Sequence, residues 1–263
     1  VTSHSASPVP THTASAPVAV RLGDEQAPRT AAVLAPVMPR WDRGAFLEPV
    51  QQALTAGHRV TVYDTLSLWR DGDDLTALTE RWAEVLGAEA PDLLVGNALG
   101  GAVVQHLLDR PWARQARVVL ISSPTVADGT LDATLESIAA AVASHGTTAA
   151  LRLLHDAVRG PDDVAVPVVP LDDEASAGHR LADGLRLLHG VDARDRVDAF
   201  PGSLLHVHGT ESRLVRGHHL ATGPGHTLVG ISRAGMRPHA DQPEATRRAI
   251  TAFLDRPLTK KDT

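Results

Sequence analysis

The sequence predicts an α/β protein with a mostly parallel central sheet, helices on both faces and a helical cap inserted before the last two strands. Three observations predict it. From Pro17 onward, short apolar runs alternate with helix-length amphipathic stretches, the βαβα pattern of a parallel sheet covered on both sides. The 263 residues are 43% hydrophobic, enough for one buried core, and α/β domains reach this size without dividing. Between residues 126 and 195 the alternation stops and only helical patterns follow.

Taken in order, residues 1–16 are rich in Ser, Thr, Pro and Ala without periodicity and are expected to form a disordered arm. Strands are expected at 18–22, 31–35, 59–63, 93–95, 118–121, 204–208 and 227–231, where apolar and β-branched residues cluster between turn signals. Helices are expected at 46–56, 75–86, 101–109 and 244–254. These make a core of residues 17–125 and 196–256. The insertion reads as three helices, 131–144, 148–159 and 175–189, placed where a lid would cover a pocket at the strand C-termini. Residues 257–263 form a tail.

The net charge of −6, with no Lys/Arg-rich block, argues against nucleic acid or an anionic membrane as partner. The absence of cysteine excludes disulfides, thiolate metal sites and cysteine nucleophiles. Apolar runs stay short of the about 18 residues of a spanning helix, and no charged n-region leads into an apolar h-region. A cytoplasmic monomer or homodimer acting on a hydrophobic small molecule is the expectation.

Leu93-Leu94-Val95-Gly96-Asn97-Ala98-Leu99-Gly100-Gly101 carries a buried strand into a helix through small residues. It resembles the nucleophile elbow G-x-S-x-G of the α/β-hydrolase superfamily, and the resemblance continues across roughly residues 18–256. It implies the α/β-hydrolase fold, with the raised elbow residue being Ala98, which has no lone pair to attack a carbonyl. The family's acid, three residues after the glycine that ends a late strand, falls on Ser212 in His208-Gly209-Thr210-Glu211-Ser212. The family's histidine, in a segment like G-H-x-P-H-x-E-Q-P-E, falls on Met236 in Gly235-Met236-Arg237-Pro238-His239-Ala240-Asp241-Gln242-Pro243-Glu244. The family's His-Gly oxyanion turn falls on Ala35-Pro36-Val37-Met38, where Pro36 contributes no N–H. The resemblance therefore implies a member without the Ser/Asp/His triad.

If these positions converge, Ala98, Leu99, Val37, Met38, Trp41, Ser212, Met236 and the cap residue His155 line an apolar substrate pocket. Glu211, His239 and Asn97 are the candidate catalytic residues. Glu211 is either a general base or a loop carboxylate paired with Arg213. His239 either enters the pocket or packs beside the last helix. Asn97 either hydrogen-bonds a substrate carbonyl or stabilises the turn. Asp64 and Arg40 either face the mouth or serve as a cap and a surface ion pair, and Asp156 resembles His155 in facing pocket or solvent. His208 is expected to be a satisfied core histidine. No cofactor is expected: Gly96 to Gly101 lacks the G-x-G-x-x-G spacing. No metal is expected either, because His218, His219 and His226 have no carboxylate at ligand spacing.

The leading functional reading is a cofactor-free lyase or cyclase. It would carry out elimination, dehydration, isomerisation or pericyclic-type ring formation on a polyketide-like intermediate of specialised metabolism such as antibiotic biosynthesis. The alternative is a non-catalytic small-molecule-binding or scaffold protein. A third reading is a serine esterase or thioesterase whose nucleophile has been replaced by Ala98. Three changed positions weigh against the last, since loss of the nucleophile alone already removes nearly all triad catalysis.

Overall fold

The computed structural model describes residues 16–163 and 172–257. The expected N-terminal arm, except Ala16, and the tail, except Pro257, lie outside the described residues, as does part of the insertion, residues 164–171.

Among the described residues, seven strands form one sheet: β1 (Ala19–Leu22), β2 (Arg29–Leu34), β3 (His58–Tyr63), β4 (Leu93–Asn97), β5 (Arg117–Ile121), β6 (Leu204–Gly209) and β7 (Thr227–Ile231). Their order is β1-β3-β2-β4-β5-β6-β7. β1 runs antiparallel to β3, and every other neighbouring pair is parallel. All seven expected strands are present, with ends shifted by at most two residues. In the centre, β4 and β5 are buried at every residue, as strands covered on both faces must be.

Alternation along these strands divides the interior in two. Leu94, Val118 and Leu120 join one cluster, while Leu93, Val95, Val119 and Ile121 join the other. The second cluster is closed by α1 (Glu48–Thr55) and by α9 (Pro243–Leu254) through Ile250 and Phe253. The first is closed by α2 (Leu75–Glu89), whose Trp82 is fully buried, and by α3 (Leu99–His106). α2 starts at Asp74, whose carboxylate accepts the Ala77 N–H at 2.7 Å. α1 and α9 carry proline in their first turn, where no intrahelical N–H is lost.

Between β5 and β6 run α4 (Gly129–His145), α5 (Thr147–Val158), α6 (Glu174–Arg186) and α7 (Arg194–Ala199). Asp128 caps α4 by accepting the Leu131 N–H at 2.8 Å, and Asp173 caps α6 by accepting the Ser176 N–H at 3.2 Å. α7 and α8 (Pro238–Asp241) are new relative to the sequence reading; six and four residues are too few to show a helical period. α3 begins at Leu99, two residues earlier than the periodicity suggests, because the elbow passes directly into the helix. No helix among the described residues is long and apolar enough to cross a membrane.

Candidate functional site

The site is built at the C-terminal ends of the parallel strands, where loops can converge without breaking the sheet. At its centre stands Ala98, between β4 and α3, with φ 48° and ψ −112°. A non-glycine residue in this region costs roughly 1–3 kcal/mol and persists only where its surroundings impose it. Here they do. The Ala98 N–H donates to the Ile121 carbonyl at 3.1 Å, and the Ala98 carbonyl accepts the Ala102 N–H at 3.0 Å. A Cβ on Gly96 would lie 2.3 Å from the Gly101 Cα, and one on Gly100 would lie 2.1 Å from the Leu34 carbonyl oxygen. The small residues of the sequence motif are thus steric necessities of a helix packed this tightly against its own strand.

Around Ala98 is a cavity of about 240 Å³. Its floor comes from the strand ends: Val37 and Met38 after β2, Asn97 on β4, Leu214 after β6, and Met236, Arg237 and His239 after β7. Its roof comes from the inserted helices: Leu131 and Leu135 on α4, Leu154 and Val158 on α5, and Leu185 and Leu188 on and just after α6. Phe46 adds an aromatic edge and stands T-shaped to the His239 ring at 6.4 Å between centroids.

Of the residues expected in the pocket or in catalysis, Ala98, Val37, Met38, Met236, Asn97 and His239 line this cavity. The others are elsewhere. Leu99 is fully buried in the core on the helix side. Trp41 packs against the opposite cluster, under α1 and α9. Ser212 is buried beneath the floor, its hydroxyl donating to the Met236 sulfur at 3.8 Å. His155 is turned from the cavity by the helical period, which presents Leu154 and Val158 instead. Glu211 is exposed; its N–H donates to the Ala234 carbonyl at 3.0 Å, which fixes the backbone and leaves the carboxylate in solvent. Asp156 is exposed as well and pairs with Arg159 at 3.4 Å.

His239 is 3% exposed, and its Nδ1 has no hydrogen-bond partner. Burial, with the Arg237 charge as a smaller second cause, holds the imidazole at about 4, well below its ordinary range. It is therefore a neutral ring at physiological pH. Arg237 donates from a terminal nitrogen to Asp163 at 2.6 Å, while its Nε is sealed from solvent without a partner. In the sequence Arg237 sits within the segment that resembles the family scaffold, and its residue type alone does not single it out. Its place between two cavity residues was the available signal.

Asp64 and Arg40 take structural roles. Asp64 is buried, accepts the Leu66 N–H at 3.3 Å and pairs with Arg180 of α6. Arg40 reaches exposed Asp172 at 3.7 Å. The fully buried histidine of β6 is His206, accepting the Ser123 N–H at 3.4 Å, whereas His208 is half-buried.

No carboxylate lies at ligand spacing from His218 and His219 in the sequence, but the fold brings one to them from 90 residues before His218. Asp128 lies 3.1 Å from His218 Nε2 and 3.2 Å from His219 Nε2, contributed from a distant loop. His226 stands apart, accepting the Gly223 N–H at 2.8 Å. The three groups lie within ligand reach of one another, but the tautomer opposes a metal there. The Arg216 N–H donates to His219 Nδ1 at 3.0 Å, so the ring proton sits on Nε2, 3.2 Å from the Asp128 carboxylate.

No protein-family model matches the chain, and no curated protein matches it. Solved structures do. An α/β hydrolase enzyme from a Medee basin deep-sea metagenome library is similar at TM-score 0.76 and 15% identity, over 94% of this chain and 96% of that one. The enol-lactonase from Burkholderia xenovorans LB400 is similar at TM-score 0.75 and 16% identity, over 91% of this chain and 96% of that one. A hydrolase from Pseudomonas aeruginosa PA01 is similar at TM-score 0.73 and 20% identity, over 90% and 94%. The chain has the α/β-hydrolase fold, as the sequence predicts.

Proposed function

We propose that this chain is a cofactor-free, non-hydrolytic enzyme that binds a hydrophobic small molecule between sheet and inserted helices. In this reading residues 126–195 act as its lid. The observation that carries it is Ala98: the raised elbow residue keeps the strained geometry of a nucleophile position without any nucleophile. The contact between Ser212 and Met236 supports placing these two residues where a triad would hold its acid and its base.

The chemistry that suits such a site is orientation and desolvation of a reactive chain. Each methylene seated against this wall gains about 0.8 kcal/mol, and a dry cavity strengthens the few polar contacts that remain. Asn97 offers an amide donor and acceptor beside Ala98, and neutral His239 offers one donor and one acceptor. Elimination, dehydration, isomerisation or ring closure of a polyketide-like intermediate needs no covalent intermediate and is the proposed reaction class. Among the described lining residues no carboxylate is present, which favours, as the second reading, a carrier that binds the same ligand without turning it over.

The test is hydrolysis of short- and long-chain p-nitrophenyl esters by the chain and by its Ala98→Ser variant. Both are expected to be inert. Turnover by the serine variant would mean that a base already serves position 98, and the protein would then be a disabled hydrolase.

A further inference from the structure

We propose that the cavity takes a neutral, compact molecule: a hydrocarbon body of about ten non-hydrogen atoms bearing one uncharged oxygen, hydroxyl or carbonyl, that hydrogen-bonds the Asn97 carboxamide. This rests on reading the cavity as a small-molecule site and goes further by naming the ligand's charge, its size and the side chain that anchors it.

Asn97 carries the assignment. It closes β4 beside Ala98, lines the cavity and is 5% exposed. Its carboxamide offers both donors and acceptors, and among the described residues nothing hydrogen-bonds to it. Its oxygen and nitrogen are nevertheless open to solvent, whereas Arg237 Nε and His239 Nδ1 are sealed. β2 and β5 flank β4, so the little surface that Asn97 keeps belongs to the cavity. A buried amide with its bonding capacity unused is a polar group waiting for a partner. A ligand oxygen supplies one.

Neutrality follows from the rest of the wall. Among the described lining residues the ionisable side chains are Arg237 and His239, and no carboxylate or lysine is present. The Arg237 guanidinium pairs with Asp163 at 2.6 Å in an outer cleft that also holds Asp162 and Asp241, so its charge is met outside the cavity. Burial, and then the Arg237 charge, keep the His239 ring neutral. A carboxylate or ammonium entering here would shed its water with no free counter-charge to meet it. That costs far more than burying an uncharged oxygen that finds a hydrogen bond. The roof adds apolar side chains, such as Leu135, Leu154 and Leu185. Volume sets the size: a cavity of about 150 Å³ holds benzene, and in proportion one of about 240 Å³ holds about ten non-hydrogen atoms.

The experiment is calorimetric titration at neutral pH with probes built on one skeleton: p-isopropylbenzyl alcohol, p-isopropyltoluene, p-isopropylbenzoate and p-isopropylbenzylammonium. The alcohol is expected to bind at least about ten-fold tighter than either ion. Asn97→Leu should weaken the alcohol about five-fold, the effect of one hydrogen bond, and leave the toluene within about two-fold. Either ion binding within about ten-fold of the alcohol in the parent would overturn the neutral assignment, and that comparison needs no variant. An alcohol affinity that stays within about two-fold in an Asn97→Leu variant that melts like the parent would overturn Asn97 as the anchor. The Asn97 side-chain amide resonances of the parent test the same point without a substitution: they should move with the alcohol more than with the toluene, and equal shifts would overturn it. Leu135→Trp fills the roof and separates the two levels. If all binding survives it, or if the parent binds no probe, the cavity is not the ligand site and the functional reading falls as well.

Discussion

The Ser212 hydroxyl donates to the Met236 thioether sulfur across 3.8 Å, joining the loops after β6 and β7 beneath the cavity floor. If these are the acid and base positions of a triad, as proposed above, a carboxylate and an imidazole there would let the acid orient the base. A hydroxyl and a thioether supply neither charge nor a proton acceptor of useful strength. Triad members act as a unit, so restoring one restores almost nothing. The variant Ala98→Ser/Ser212→Asp/Met236→His is therefore expected to hydrolyse p-nitrophenyl butyrate at least about 100-fold faster than Ala98→Ser alone. Equal rates in a folded triple variant would show that the three positions do not converge.

The backbone at Ala98 makes a stability prediction that is independent of function. With φ at 48°, glycine is the residue that sits there without strain. Ala98→Gly is expected to stabilise the protein by about 1 kcal/mol, the relieved strain exceeding glycine's greater chain entropy. Gly100→Ala should act in the opposite direction by about 3 kcal/mol or more, because its Cβ meets the rigid Leu34 carbonyl rather than a movable side chain. Urea unfolding of both variants decides this. A destabilised Ala98→Gly would mean the elbow is not strained.

The sheet was legible because buried parallel strands are written as short β-branched and leucine runs, such as Leu93–Val95 and Val118–Ile121. The elbow was legible because only small residues allow strand and helix to pack at 2–3 Å from an added Cβ. What escaped was the direction of single side chains on loops and on a partly exposed helix. His155 and Leu154 are neighbours on α5, and sequence alone does not decide which of them faces down. Glu211 stands one residue from buried Ser212, and a single backbone bond to Ala234 turns it outward. Asp128 and His218 meet across 90 residues, a pairing that no local spacing announces.

Arg180 ties the inserted helices to the cavity floor. Its Nε–H donates to the Met38 carbonyl at 2.9 Å, and its terminal nitrogen pairs with Asp64, whose side chain is 6% exposed. Removing the cation leaves a buried carboxylate uncompensated, the costly way to break such a pair. Arg180→Ala is expected to lose about 3 kcal/mol and to raise hydrogen exchange across α6. Asp64→Asn/Arg180→Leu should lose less, since no charge is stranded. A loss below about 1 kcal/mol in Arg180→Ala would mean that Asp64 is hydrated and that the insertion is held by its apolar contacts alone.

Acid should weaken the protein through the cavity floor. In the folded state burial and then the Arg237 charge hold His239 at about 4, while in the unfolded chain it titrates near 6.5. Between these values the unfolded state binds more protons, so stability rises with pH through this window and is lost as pH falls from about 6.5 to about 4. The full shift corresponds to about 3 kcal/mol. His206, buried in β6 and lowered to about 3 chiefly by its burial, adds in the same direction. His239→Leu removes only the share of residue 239. Urea unfolding between pH 4 and 7 should therefore show the parent losing about 3 kcal/mol more than His239→Leu. Parallel curves would mean that His239 is solvated in the free protein.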